Sequence, residues 1–168
     1  MPVQSLERIP NGSDVFIDAN IFIYGLGGLS AHCRQFLDRC SREEVIGVSL
    51  FEIVNNATHR FMLAEAHSKS LISRQLASDL RGKFKHVPSL TTYWQNTERI
   101  LNLNLLLIAI DESIIRAAHS ERRSTGLLTN DSMIVSCMRS YGVSYLATSD
   151  SDFERVSGIV VFRPEDLP

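Results

Sequence analysis

Five short, unbroken apolar runs punctuate this chain: Val15-Phe16-Ile17, Val45-Ile46-Gly47-Val48, Leu105 to Ile110, Tyr145-Leu146-Ala147 and Ile159-Val160-Val161-Phe162. None alternates with polar residues, which is the pattern of strands buried on both faces. Between them the apolar spacing changes to threes and fours. Leu50, Phe51, Ile53, Val54, Ala57, Phe61, Met62 and Ala64 lie on one helical face. Lys69 to Phe84 and Ser89 to Leu103 predict two further helices separated at Pro88. Glu112 to Arg123 and Ser132 to Tyr141 predict two more, the second stopped by Gly142. Met1 to Ser13, with Pro2, Pro10, Asn11 and Gly12, reads as an irregular lead-in. Strands alternating with helices predict a three-layer α/β/α sandwich around a parallel five-stranded sheet, with residues 1–168 in one domain. In such sheets the reactive crevice lies beyond the carboxyl ends of the strands.

Composition narrows this picture only slightly. The chain is 44% hydrophobic and 21% charged, with a formal net charge of −2, so no overall basic field marks a nucleic-acid binder. A group of carboxylates would itself pull the total down. Cys33, Cys40 and Cys137 contain no C-x-x-C pair. The first two are spaced as on one helix face and read as core residues of a reduced chain. The opening residues lack a signal-peptide core, and no apolar run approaches the ~18 residues of a membrane span. A cytoplasmic protein without a membrane segment is expected.

The strand ends carry acids. Asp18 closes the first run, Glu52 opens the helix after the second, and Asp150 follows the fourth. Asp131 opens the helix leading into that fourth run. A parallel sheet can bring all four to one edge. Carboxylates crowded in this way repel one another unless a cation lies between them, and an all-oxygen donor set suits Mg²⁺ or Mn²⁺. Each acid alone also has a structural explanation. Asp18 fits a helix N-cap, and Ser49-x-x-Glu52 and Ser151-x-x-Glu154 match capping boxes. Asn130 and Asp131 fit a cap followed by a first-turn acid. Capping does not account for all four acids falling on one edge.

These segments resemble the PIN-domain family, and within it the VapC-type ribonuclease toxins of toxin–antitoxin pairs. The residues that carry the resemblance are Asp18-Ala19-Asn20-Ile21-Phe22-Ile23-Tyr24, Ser49-x-x-Glu52, Leu128-Thr129-Asn130-Asp131 and Ala147-Thr148-Ser149-Asp150-Ser151-Asp152-Phe153. The resemblance implies Asp18, Glu52, Asp131 and Asp150 as catalytic, metal-binding acids, with Asp152 as a rival to Asp150. It implies Asn20 and Thr148, together with Asn130, as residues orienting the carboxylates and their waters. It also implies an Mg²⁺- or Mn²⁺-dependent endoribonuclease, an RNA substrate, a small antitoxin partner and a homodimer. Ala19 departs from the hydroxyl residue common at that position, and about 64–103 forms an extra helical region.

The remaining polar residues give weaker signals. Arg81, Lys83 and Lys85, with Arg74 and His86, gather in the extra region, either as a solvated face or as a track for RNA phosphates. Arg122 and Arg123 end a helix shortly before Asp131, where they suit its dipole or a phosphate. Tyr93 and Trp94 read as core residues, with base stacking as the alternative. None of the five histidines has ligand-like spacing. Beside the nuclease stand an RNA-processing nuclease outside toxin–antitoxin systems, a non-catalytic RNA- or protein-binding module, and another acid-dependent phosphoryl-transfer domain.

Overall fold

The computed structural model describes residues 4–167. All its strands run parallel, in the order β1-β6-β5-β2-β3-β4, with β1 at Gln4–Ser5, β2 at Asp14–Ile17, β3 at Ile46–Leu50, β4 at Leu106–Ile108, β5 at Tyr145–Ala147 and β6 at Val160–Arg163. The helices are α1 (Ala19–Leu26), α2 (Ala31–Ser41), α3 (Phe51–Ser68), α4 (Ala77–Arg81), α5 (Thr92–Leu101), α6 (Glu112–Thr125) and α7 (Thr129–Ser140). Among the helices, α1 packs on α2 and α3, and α3 on α5, while α6 and α7 pack on each other. With right-handed crossovers, the connections from β2 through β3 to β4 lie on one face, and the return from β4 to β5 lies on the other. The result is the expected three-layer sandwich. The sheet grows from β2 towards β3 and β4 on one side and then, through β5, on the other, which places a topological switch point beside Ile17.

Burial explains the strand pattern. Val15, Phe16 and Ile17 are all 0% exposed, because helices cover β2 from both sides. At Gly47 a Cβ would come within 2.5 Å of a Leu105 side-chain carbon and 3.0 Å of one from Ile17, so a larger residue there would oblige those side chains to shift.

The sheet has six strands rather than five, and the lead-in is not wholly irregular. Gln4 and Ser5 pair with Phe162 and Arg163, and a short 3-10 turn follows at Leu6–Arg8. Leu6 and Ile9 are 1% and 2% exposed and fasten this segment to the core. The Arg39 guanidinium on α2 donates to the Ile9 carbonyl at 2.6 Å and to Asn11 Oδ1 at 2.8 Å. A two-residue strand has no periodicity to read. Met1 to Val3, including Pro2 of the expected lead-in, lie outside the described residues.

The helix expected over Lys69 to Phe84 does not form as one element. Instead α3 continues to Ser68, Ser70 turns the chain at φ 56°, and only α4 and a 3-10 turn at Phe84–Ser89 follow. Leu63, Ala66, Ile72, Leu80 and Leu90 form a second, smaller apolar cluster here, and Tyr93 packs against both clusters. Tyr93 is therefore core as expected, whereas Trp94 is 49% exposed, one residue round the helix.

Glu65 ties this extra region to the body. Its side chain, 4% exposed, receives the Thr91 and Tyr93 backbone N–H groups at 2.9 Å each and the Lys69 ammonium at 2.7 Å. Burial pushes its carboxyl up, but Lys69 and the amides opening α5 outweigh burial and hold it near about 2. Because the folded state depresses this pKa, its contribution is complete above the unfolded value of 4.5 and is lost as pH falls towards about 2. Replacing Glu65 with Gln is expected to cost on the order of 2–3 kcal/mol at neutral pH and much less near pH 2, measured by urea unfolding.

Candidate metal centre

The site begins where β2 stops. Asp18 has extended backbone angles and caps α1, with Oδ1 accepting from the Ala19 N–H at 2.6 Å. Oδ2 accepts from Asn20 Nδ2 at 2.6 Å and from the Thr148 hydroxyl at 2.7 Å. The capping role and the site position are therefore compatible: Oδ2 is filled by its two donors, while Oδ1 accepts one and keeps capacity for a further partner.

The partners close a network. Asn20 Nδ2 also donates to Thr148 Oγ1 at 3.0 Å, and Asn20 Oδ1 accepts the Ser149 N–H at 3.0 Å. Thr148, fully buried, accepts the Asp150 N–H at 3.1 Å. Its one hydroxyl proton goes to Asp18, while its two lone pairs take Asn20 and Asp150, so its capacity is filled. This network fastens the end of β2 to the end of β5.

The other acids approach from three further elements. Asp150 caps a 3-10 turn at Ser151–Arg155 through the Asp152 N–H at 2.8 Å. Asp131 lies in the first turn of α7 and makes no side-chain hydrogen bond among the described residues; the cap position is Leu128, not Asn130. The Ser49-x-x-Glu52 capping box is not made. Ser49 sits inside β3 and gives its hydroxyl to the Ile17 carbonyl at 2.9 Å, while Leu50 takes the cap position without a side-chain bond. Glu52 is left exposed in the first turn of α3. The second capping-box match also fails, because Glu154 pairs with Arg163 at 3.0 Å.

Asp18, Glu52, Asn130 and Asp131 line one cleft of about 190 Å³. Asp131, Asp150 and Asp152 offer oxygens all within 4.8 Å of one another. Asp131 belongs to both groups and joins them. Burial, then the Asp150, Asp18 and Asp152 charges, push its carboxyl up to about 6, against the opposing Arg155. The Asp18 carboxyl is also raised, chiefly by burial, although Thr148 and the Ala19 amide pull it down. Like charges held this close, with only oxygen donors, suit a hard divalent cation.

The expected basic residues do not gather here. Arg122 donates to the Ser132 hydroxyl at 3.0 Å and Arg123 is exposed. Arg81, Lys83 and Lys85 belong to the segment packed against the last turns of α3, where Leu80 meets Leu63 and Ala66 and Lys83 shares a groove with His67, about 20 Å along that helix from Glu52. Arg155 was missed. Its guanidinium pairs with Asp152 at 2.8 Å and donates to the Thr125 carbonyl at 3.0 Å, bracing the turn that leads into α7. The Asp152-x-x-Arg155 spacing was its only signal in the sequence.

A parallel sandwich with acids gathered at its switch point is the architecture of a metal-dependent phosphodiester-processing domain. The chain belongs to the PIN domain family, whose pattern it matches over residues 15–159. It is 24% identical over 160 residues to ribonuclease VapC6 of Methanocaldococcus jannaschii, covering 90% of this chain and 97% of that protein. Its fold resembles VapBC2 from Rickettsia felis, solved bound to a promoter DNA fragment, with TM-score 0.58 and 12% identity over 90% of this chain and 99% of that one. It also resembles the sarcin–ricin-loop-cleaving toxin VapC20 of Mycobacterium tuberculosis, with TM-score 0.54 and 8% identity over 83% and 92% of the two chains. No helix among the described residues is long and apolar enough to cross a membrane.

The raised Asp131 carboxyl has a stability consequence. Its folded-state pKa lies above the unfolded value, so the metal-free fold loses stability as pH rises from 3.8 through about 6. Asp131→Asn is therefore expected to stabilise the metal-free protein at pH 7.5, by on the order of 1 kcal/mol after solvent screening. Thermal melts in EDTA should show the midpoint rising. Added divalent ion should then stabilise the wild type more than the variant.

Proposed function

We propose that this protein is a metal-dependent endoribonuclease of the VapC toxin type, hydrolysing RNA phosphodiester bonds with Mg²⁺ or Mn²⁺. Asp18, Asp131 and Asp150 would hold the ion, Glu52 would act from across the cleft, and Asp152 is the alternative to Asp150. The observation that carries this reading is the set of carboxylate oxygens from Asp131, Asp150 and Asp152 within 4.8 Å, an arrangement that capping does not require. The names of VapC6, a ribonuclease, and VapC20, an RNA-loop-cleaving toxin, support the same chemistry. When bound, the cation supplies Lewis-acid polarisation of the phosphate and a more acidic water. Asn20 and Thr148 hold Asp18 in one orientation, and Asn130 presents a further polar group at the cleft. Among the described residues no histidine lines the cleft, so proton transfer falls to a carboxylate of the set and to water.

The same proposal includes a small antitoxin partner, a homodimer and a cytoplasmic site of action. A toxin–antitoxin complex from Klebsiella pneumoniae shares the fold, with TM-score 0.56 and 15% identity over 87% of this chain and 95% of that one. A short reading frame beside the gene, whose product co-purifies with this chain and inhibits it, would support the toxin assignment over an RNA-processing role.

The activity test is cleavage of RNA with Mn²⁺ or Mg²⁺. The wild type is expected to cut, and Asp18→Asn and Asp131→Asn to fall to background with unchanged circular dichroism. Thr148→Val should lose roughly 10–100-fold through a misoriented Asp18. Full cleavage by both Asp variants contradicts the proposal. RNA binding without cleavage, and without divalent-ion binding in calorimetry, would make the protein a non-catalytic RNA-binding module.

A further inference from the structure

The segment between α3 and α5 carries the opposite charge from the rest of the chain. Residues 69–91 hold five Lys or Arg against one Asp, a net +4, so within a total of −2 the remainder carries −6. Two of these cations are neutralised locally, Lys69 by Glu65 at 2.7 Å and Arg74 by Asp79 at 3.3 Å. Arg81, Lys83 and Lys85 are exposed and make no ion pair or side-chain hydrogen bond among the described residues. Between the two lysines stands Phe84, 65% exposed.

That ring is presented to solvent by the packing on either side of it. Leu80, 5% exposed, belongs to the smaller apolar cluster, and Val87 packs against it from the other side. Phe84 lies between these anchors on the outward side, at the start of the 3-10 turn that contains Pro88. Lys83 also lines an open groove of about 800 Å³ with His67, Ser70, Ser73 and Arg74.

We propose that the Arg81–His86 segment is a single-stranded RNA grip separate from the acidic cleft, with Arg81, Lys83 and Lys85 contacting phosphates and Phe84 stacking an unpaired base. Its substrate rests on the ribonuclease reading above. The physical reason is charge. A bound cation would draw one phosphate into the cleft, but the body around it carries −6 and repels the rest of a polyanion, so a cationic surface elsewhere adds the affinity that holds the strand. This segment is the concentrated cationic stretch of the chain, and an aromatic ring flanked by cations matches the stacking and phosphate contacts of unpaired RNA. The α3 rod sets the grip about 20 Å from Glu52, within the span of a short single strand.

The test is fluorescence anisotropy with labelled single-stranded RNA of about 20 nucleotides, in EDTA so that the strand stays intact. Lys83→Glu/Lys85→Glu is expected to weaken binding at least about tenfold and to flatten the dependence on salt by about two counter-ions. Phe84→Ala should weaken binding several-fold with the salt dependence unchanged. Arg8→Glu/Arg34→Glu makes the same charge change on other surfaces and should bind like the wild type. If the reversed pair unfolds in a thermal melt, Lys83→Gln/Lys85→Gln reads the same effect. Affinity of the lysine variants equal to that of the Arg8/Arg34 control overturns the proposal, even if those variants lose an acidic protein partner instead. The ribonuclease reading fails separately, by wild-type protein leaving RNA intact in Mn²⁺.

Discussion

The hydrogen-bond network of Asp18, Asn20 and Thr148 is the constraint on which the rest of this structure depends. It joins the carboxyl ends of two neighbouring strands, β2 and β5, through side chains 128 and 130 residues apart in sequence. It also fixes the direction of one half-buried carboxylate towards which Asp131 and Asp150 must converge. Without it, mutual repulsion would turn three acids outward to water. With Thr148 filled as donor and acceptor and Asn20 held at both ends of its amide, Asp18 has one orientation to occupy.

The fold supplies the convergence and also bears its cost. Sheet growth to one side of β2 and then to the other leaves a crevice at that strand's end, and the acids enter it from a strand end, two helix first turns and a 3-10 turn. The apolar sheet core, with Val15, Phe16 and Ile17 at 0% exposure, holds these elements in place while the carboxyls repel one another. Asp131, raised to about 6 first by burial and then by the Asp150, Asp18 and Asp152 charges, carries the clearest mark of that cost. Charge is divided accordingly along the chain: the body is acidic, and the segment beyond α3 is basic, aromatic and anchored by Glu65.

Much of this was legible in the sequence because buried parallel strands leave unbroken apolar runs. Val15-Phe16-Ile17 followed by Asp18 announces a strand and what stands at its end. Tyr145-Leu146-Ala147 matches β5 in both bounds. What escaped were features whose cause is long-range. Gln4 and Ser5 become a strand only because β6 offers an edge. Lys69 to Phe84 has helical spacing, yet Ser70 takes a positive φ and the segment folds around its own small cluster instead. Ser49-x-x-Glu52 satisfies a local capping rule that the sheet overrides, since the Ser49 hydroxyl finds the Ile17 carbonyl first. The sequence points to the four acids only jointly, with Asp18 and Asp150 at strand ends and Glu52 and Asp131 in helix first turns, since each taken alone also reads as a cap or turn residue. The competition between Asp150 and Asp152 could not be resolved there, because both lie within reach of Asp131 and Arg155 occupies one of them.

The most direct test of the metal centre is anomalous scattering from a crystal grown or soaked in Mn²⁺, with data collected on either side of the manganese absorption edge. The account predicts a peak bounded by the carboxylates of Asp18, Asp131 and Asp150, and its loss in crystals of Asp131→Asn. A well-ordered Mn²⁺-soaked crystal with those carboxylates in place and no peak among them would contradict it.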